Sequence, residues 1–292
     1  MKLIVDSGST KTDWAFTGSA AQYTVVNTHG INPVVQNEEE IDDILRNELE
    51  KAACSHDINT QDVDGIFFYG AGCTPEKVHT VKNVLARHFP NATLIEVESD
   101  LLGAARALCG RNEGIAAILG TGANSCLYDG EKIIAHTPAL GFILGDEGSG
   151  AVLGKKFMNG ILKGWLPQQL CDNFLKETGL TMADIIDKVY HDAMPNRFLA
   201  STSEFISRNI GSYSALENIV EENFEDFIRI NIFPYRCCAT NNNANAQRIN
   251  AVGSIAYYYK PYLVKAAQEL GMEIGTITKS PLTGLIRFHF QD

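Results

Sequence analysis

One short pattern occurs twice in this chain and limits the folds open to it. Lys2-Leu3-Ile4-Val5 runs into Asp6-Ser7-Gly8-Ser9-Thr10-Lys11-Thr12 and leaves through Asp13-Trp14-Ala15-Phe16. About a hundred residues later, Ile115-Ala116-Ala117-Ile118-Leu119 runs into Gly120-Thr121-Gly122-Ala123-Asn124-Ser125 and leaves through Cys126-Leu127-Tyr128-Asp129-Gly130. Each is an apolar strand, a turn of small polar residues and a returning strand.

Such turns suit phosphate. Glycines let backbone N–H groups approach an anion closely, and concave runs of N–H groups bind one. Ser and Thr hydroxyls add donors without bulk. Ser7, Gly8, Ser9, Thr10, Lys11 and Thr12 are therefore candidates in the first turn, and Gly120, Thr121 and Gly122 in the second. Asp6 ends an apolar strand and suits a Mg²⁺ ion held through water, since Mg²⁺ keeps most of its hydration shell. Either segment alone is open to reading as an ordinary hairpin whose Gly and Ser serve only the turn. Two in one chain, facing each other, could clamp a nucleotide tail. No segment fits G-x-x-x-x-G-K-[ST], and Gly70-Ala71-Gly72 runs into Cys73, Thr74 and Pro75 rather than opening a G-x-G-x-x-G helix. Gly145-Asp146-Glu147-Gly148-Ser149-Gly150 holds two carboxylates, so it suits a hydroxyl-rich ligand better than phosphate.

Composition narrows the partners. The 292 residues allow two medium domains or one large one, and 45% are hydrophobic. A net charge of −11 argues against a nucleic acid or an anionic membrane. No apolar run approaches the roughly 18 residues that span a bilayer. Met1-Lys2 leads directly into a strand without a signal-peptide pattern, so a cytoplasmic location is expected. The seven cysteines are scattered, odd in number and without C-x-x-C, as in a reducing compartment.

Along the first third, strands alternate with helices. A third strand is expected at Tyr23–Val26, a helix from Glu38 to Ala53, a buried strand at Gly65–Gly70, a helix from Pro75, a strand at Thr93–Val97 and a helix from Leu101 to Cys109. This order predicts one mixed, mostly parallel sheet with helices on its faces. The second hairpin restarts the pattern near Gly114, and helices dominate from about Gly148 to Phe233. An Asn-rich stretch, 241–245, is read as a surface loop. A short strand at Ile249–Ser254, a long helix from Ile255 to Leu270 and a closing helix at Leu282–Phe288 complete the chain. The expected division is 1–112 and 113–292.

Together these residues resemble the sugar kinase–Hsp70–actin superfamily, and more narrowly the BadF/BadG-type ATPases and their N-acetylglucosamine kinase relatives. DSGSTKT resembles a first phosphate motif and GTGANS a second. GSIAYYYKPYL, Gly253 to Leu263, resembles an adenosine motif, and GFILGDEGSG, Gly141 to Gly150, a segment of amino-sugar kinases. The resemblance spans nearly the whole chain. It implies an α/β fold of duplicated ribonuclease H-like (actin-like ATPase) domains with a nucleotide cleft between them. It implies ATP and Mg²⁺, Asp100 as catalytic base, Asn32, Asp100, Thr121, Gly122 and Asp146 at the sugar, and Gly253 and Ser254 at the adenosine. Bland readings stand beside these: Asp100 as a helix cap, Asn32-Pro33 as a turn, Asp146-Glu147 as charges at the start of a helix. The paired cysteines of the iron–sulfur activators are missing. A homodimer is common among such relatives.

The expected activity is transfer of phosphate from ATP to an amino sugar, N-acetylglucosamine foremost, on its 6-hydroxyl. The alternatives are a nucleotide-driven switch acting on a protein partner and a nucleotide binder without turnover.

Overall fold

The computed structural model describes residues 1–8, 10–237 and 247–290, so the Asn-rich stretch lies outside the described residues. The chain forms two compact units. The first comprises Met1–Asn112, Gly130–Lys132 and Pro281–Asp292, and the second Glu113–Asp129 and Ile133–Ser280.

The first unit is built on β1 (Lys2–Ser7), β2 (Lys11–Ser19), β3 (Gln22–His29), β4 (Gly65–Gly70) and β5 (Leu94–Ser99), in the order β3-β2-β1-β4-β5. β1, β2 and β3 pair antiparallel, while β1, β4 and β5 run parallel. Leu3, Ile4 and Val5 are all fully buried, so β1 is covered on both faces, which is why it reads as an unbroken apolar run. One face packs on α1 (Glu38–Ile44) and α3 (Val78–His88) through Leu3, Val5, Trp14, Ile41, Val81 and Val84.

α1 opens with a capping box, Asn37 and Glu40 bonding each other's backbone N–H. It continues through a π-helical turn, Leu45–Leu49, into α2 (Glu50–Ser55). The turn has a visible purpose. The His88 ring lies 3.0 Å from Asp42 Oδ1 through Nε2 and 2.6 Å from Glu50 Oε1 through Nδ1. At 3.6 residues per turn, positions 42 and 50 would lie roughly 80° apart around the helix. The residue absorbed by the π turn brings both carboxylates onto the imidazole.

On the opposite sheet face lie α4 (Asp100–Cys109) and the last helix of the chain, Leu282–Phe290. Leu282, Leu285 and Ile286 of that helix pack on Ile4, Ala15 and Phe67. The sequence division assigned this segment to the second half.

The second unit repeats the plan. β6 (Gly114–Leu119), β7 (Ala123–Tyr128), β8 (Ile133–Thr137), β9 (Arg248–Val252) and β10 (Glu273–Thr278) lie in the order β10-β9-β6-β7-β8. Counted from its own first strand, this is the order of the first sheet, with the same antiparallel and parallel halves. The fold is therefore a duplicated α/β ribonuclease H-like domain, as the sequence led one to expect. β8 and β10 were not foreseen.

After the short α5 (Gly141–Leu144), helices α6 (Gly150–Lys163), α7 (Gln168–Thr178), α8 (Met182–Tyr190), α9 (Pro195–Ser201), α10 (Ser203–Asn209) and α11 (Ser214–Phe227) fill the expected helical region. Their core centres on Phe157, Phe174 and Phe205, with Phe174 edge-on to both others at 5.1 Å. The long helix expected from Ile255 breaks at Tyr259 into α12 (Ser254–Tyr258) and α13 (Lys260–Glu269). Pro261 explains the break, because it offers no N–H to the turn before it. The helix Leu282–Phe290 is α14. No helix among the described residues is long and apolar enough to cross a membrane.

Candidate active site

In the first unit, the β1–β2 turn is held by its own hydroxyls. Ser7 and Thr12 face each other across the strand pair, both fully buried, with their hydroxyls 2.7 Å apart. The Ser7 hydroxyl also accepts the Ile31 N–H at 3.1 Å, and Thr12 Oγ1 donates to the His29 carbonyl at 3.1 Å. These two side chains shape the turn from within. Gly8, Thr10 and Lys11 are exposed at its tip, where Gly8 N–H donates to the Lys11 carbonyl at 2.9 Å. Lys11 Nζ lies 2.8 Å from Asp13. Ser9 lies outside the described residues.

Below the tip, carboxylates converge. Asp6 and Asp13 are direct partners across β1 and β2. Burial pushes Asp6 up to about 7, the negative charges of Asp13 and Asp100 add to this, and Lys11 opposes it. Asp100 is pushed up to about 6 by burial, against the backbone N–H groups of Leu101 and Asp100 itself. Asp100 is not the cap of α4. That role belongs to Ser99, whose hydroxyl accepts the Leu102 N–H at 3.2 Å, so the Asp100 carboxylate is not used as the cap. Asn32 accepts the Val34 N–H on Oδ1 at 3.0 Å, and its own N–H donates to Gln36 Oε1 at 2.7 Å. Gly72, at φ +75°, lies so close to the Asn32 amide that no Cβ would fit. The neighbouring Cys73 thiol is pushed up to about 12 by burial and the charges of Asp100 and Glu98. One short turn thus touches Asn32 and lies within the field of Asp100.

The second unit gathers its own set. Gly120 N–H donates to the Gly122 carbonyl at 3.0 Å, closing a three-residue turn. The first amides of α6 hold it: Gly150 N–H donates to the Gly120 carbonyl at 2.8 Å and Ala151 N–H to the Thr121 carbonyl at 3.1 Å. Asp146 lies against this turn, and a Cβ on Gly122 would stand 3.0 Å from its Oδ2. Its backbone has φ +60°, a costly conformation for a residue with a side chain. Its carboxyl is raised by burial, against the N–H groups of Ala123 and Gly141 that donate to it. The buried Asn223 pins the loop behind it, accepting the Gly148 N–H and donating to the Ser149 carbonyl, both at 3.2 Å. Gly253, at φ +122°, packs directly on the Leu119 carbonyl and the Gly120 nitrogen, and Ser254 is exposed beside it.

Within each unit the expected residues that are described therefore meet: Ser7, Gly8, Thr10, Lys11, Thr12, Asp6 and Asp100 in one, Gly120 to Gly122, Asp146, Gly253 and Ser254 in the other. Sequence reading missed Asp13, Gly72 and Asn223. Asp13 had a signal, a second carboxylate on the returning strand opposite Asp6. Asn223 had none, since it is a polar residue inside a helix whose partners lie more than seventy positions away. Among the described residues no His, Cys, Asp and Glu side chains form a closed metal cage. Asp6, crowded by two other carboxylates, fits a cation that brings most of its own water.

Neither a family model nor a curated sequence matches the chain. Solved structures do. A candidate N-acetylglucosamine kinase from Porphyromonas gingivalis is 44% identical, with 100% of this chain and 99% of that one covered and a TM-score of 0.93. A second candidate N-acetylglucosamine kinase, from Chromobacterium violaceum, is 15% identical, with 98% of each chain covered and a TM-score of 0.73. A ROK family glucokinase from Streptomyces griseus, solved with glucose and AMPPNP, is 13% identical, with 97% of this chain and 98% of that one covered and a TM-score of 0.54. The last two are alike in fold.

Proposed function

This chain belongs to the N-acetylglucosamine kinase-like family of the sugar kinase–Hsp70–actin superfamily, and on that premise we propose that it phosphorylates an amino sugar, N-acetylglucosamine, on its 6-hydroxyl with ATP. The observation that carries the reading is Asp100, a desolvated carboxylate that does not serve as a cap, at the head of a helix beside Asp6.

Phosphoryl transfer asks a protein for alignment, charge neutralisation and a proton acceptor. Asp100 is the acceptor: it takes the proton of the 6-hydroxyl as the phosphoryl group arrives. With a pKa of about 6 it is ionised near neutral pH, yet basic enough to share the proton in the transition state. Asn32 and Asp146 bind sugar hydroxyls, Asp146 by accepting and Asn32 through its amide. The backbone N–H groups and hydroxyls at Gly8, Ser9, Thr10 and Lys11, and at Gly120, Thr121 and Gly122, hold the phosphates. Gly253 and Ser254 hold the adenosine. Asp6 would hold Mg²⁺, and that ion would supply neutralisation of phosphate charge.

The test is a coupled assay of ADP release over a panel of sugars. ADP release that depends on N-acetylglucosamine supports the kinase. Release without any sugar replaces it by a nucleotide-driven switch, and no release by a binder without turnover.

A further inference from the structure

Behind the acidic end of the first sheet lies a buried polar network that the proposed reaction does not use. Tyr69 of β4 stands in register with Asp6 on one side and Glu98 on the other. Paired residues of parallel strands point to the same face, so Tyr69 lies under the carboxylates. Its ring packs on Gly103 of α4, where a Cβ would come within 2.8 Å of it. Its hydroxyl accepts from Arg106 Nη1 at 2.7 Å and lies 2.8 Å from Nε2 of His289 on α14. Arg106 also bonds Glu96 of β5, and its buried Nε meets no acceptor among the described residues.

α14 is fixed here from several sides. The His289 ring stacks on Phe67 at 3.8 Å, and its carbonyl accepts from Lys2 Nζ at 2.9 Å. Arg106 and Arg111 lie over the Phe288 ring at 5.2 and 5.0 Å, and Lys2 over Phe290 at 4.5 Å. Burial and these three cations push His289 down to about 3, so the imidazole is neutral and one of its nitrogens can accept. Arg106 can only donate, so the tautomer that satisfies the Tyr69 hydroxyl has an unprotonated Nε2, with the hydroxyl donating a hydrogen bond to His289 and accepting one from Arg106.

Asp100, Gly103 and Arg106 follow one another at three-residue spacing along α4, so they share a side of that helix. Two of the three touch Tyr69, whose own strand register places it beside Asp6. Tyr69 thus gauges the distance between the strand end that carries Asp6 and the helix that carries Asp100. We infer that Tyr69, clamped by Arg106 and by His289 of α14, is a positioning residue for Asp100. The inference rests on the kinase reading above.

Tyr69→Phe keeps the ring on Gly103 and removes only the hydroxyl. In the full-length protein, kcat is expected to fall about tenfold, because a catalytic group displaced by about 1 Å loses up to 10²-fold. KM for ATP and for sugar should stay within about threefold. The acid limb of the kcat–pH profile should move as the surroundings of Asp100 change. His289→Gln, which keeps an acceptor, should retain most activity, whereas His289→Leu should behave like Tyr69→Phe. Rates are taken per folded molecule, with unfolding followed by circular dichroism. Unchanged kcat and an unmoved acid limb in Tyr69→Phe, beside an active wild type, overturn the positioning role alone. So does a loss in His289→Gln equal to that in His289→Leu. Wild-type protein that releases no ADP with any sugar overturns the kinase reading, and this inference with it.

Discussion

Replacing Asp100 by Asn should lower activity and raise stability together. Asn matches the shape and keeps an oxygen for the first amides of α4, and Ser99 still caps the helix. What goes is the base, and turnover should drop on the order of 10²–10⁴-fold. The stability effect follows from burial. A carboxyl whose pKa rises on folding binds protons more tightly in the folded chain, so its ionised form weighs against the fold. That cost is full above pH 6, fades as pH falls from about 6 towards 3.8, and is absent below. At about 1.36 kcal/mol per pH unit, the interval gives an upper bound near 3 kcal/mol, and partial solvent contact reduces it to about 1–2. Asp6 also gains, since one of the two carboxylates that repel it disappears. Urea unfolding of both proteins at pH 8 and pH 4, with sugar-dependent ADP release at pH 8, reads both effects. Asp100→Asn should be the more stable protein at pH 8, and the difference should close at pH 4. Near wild-type turnover would refute Asp100 as the base and move attention to Asp146. A variant no more stable than wild type at pH 8 would refute the account of a desolvated charge.

Thr10→Val and Thr121→Val should each weaken ATP use by about 1.5–3 kcal/mol, the worth of a hydrogen bond to a charged oxygen, and unchanged KM for ATP in both would remove the phosphate role of the two turns. Gly122→Ala should push a methyl group towards Asp146 Oδ2, 3.0 Å away, raising KM for sugar more than KM for ATP; equal changes in steady-state kinetics would count against Asp146 as a sugar ligand. Gly253→Ala meets the Leu119 carbonyl at φ +122°, and should cost at least about 2 kcal/mol in urea unfolding, whereas a neutral result would mean that the turn can relax.

The hairpins were legible because their chemistry is local. An apolar run, a glycine turn and a returning strand fall within fifteen or so positions, and the structure forms both hairpins. Gly253 was legible for the same reason. Asp100 was legible in place, but its freedom from capping was not, because Ser99 and Asp100 are equally good caps on paper and only the bond to Leu102 decides. β10 escaped because Gly275 interrupts its pattern, and that glycine is required where the strand passes the Asn250 side chain. The Tyr69–His289 bond joins residues 220 positions apart, and no local pattern announces a partner at that distance.

The return of α14 to the first sheet bears on the order in which a ribosome delivers this protein. β1 to β5 and α4 emerge first, and the face lined by Ile4, Ala15, Phe67 and Tyr69, which α4 covers in part, still waits for Leu282, Leu285 and Ile286. Every strand and helix of the second unit is synthesised in between. The first unit to begin is thus the last to be finished, and until α14 is made it carries a partly bare apolar face of the kind that chaperones hold. The second unit has its own core and can close early, so it can mature while the first still waits for its final helix.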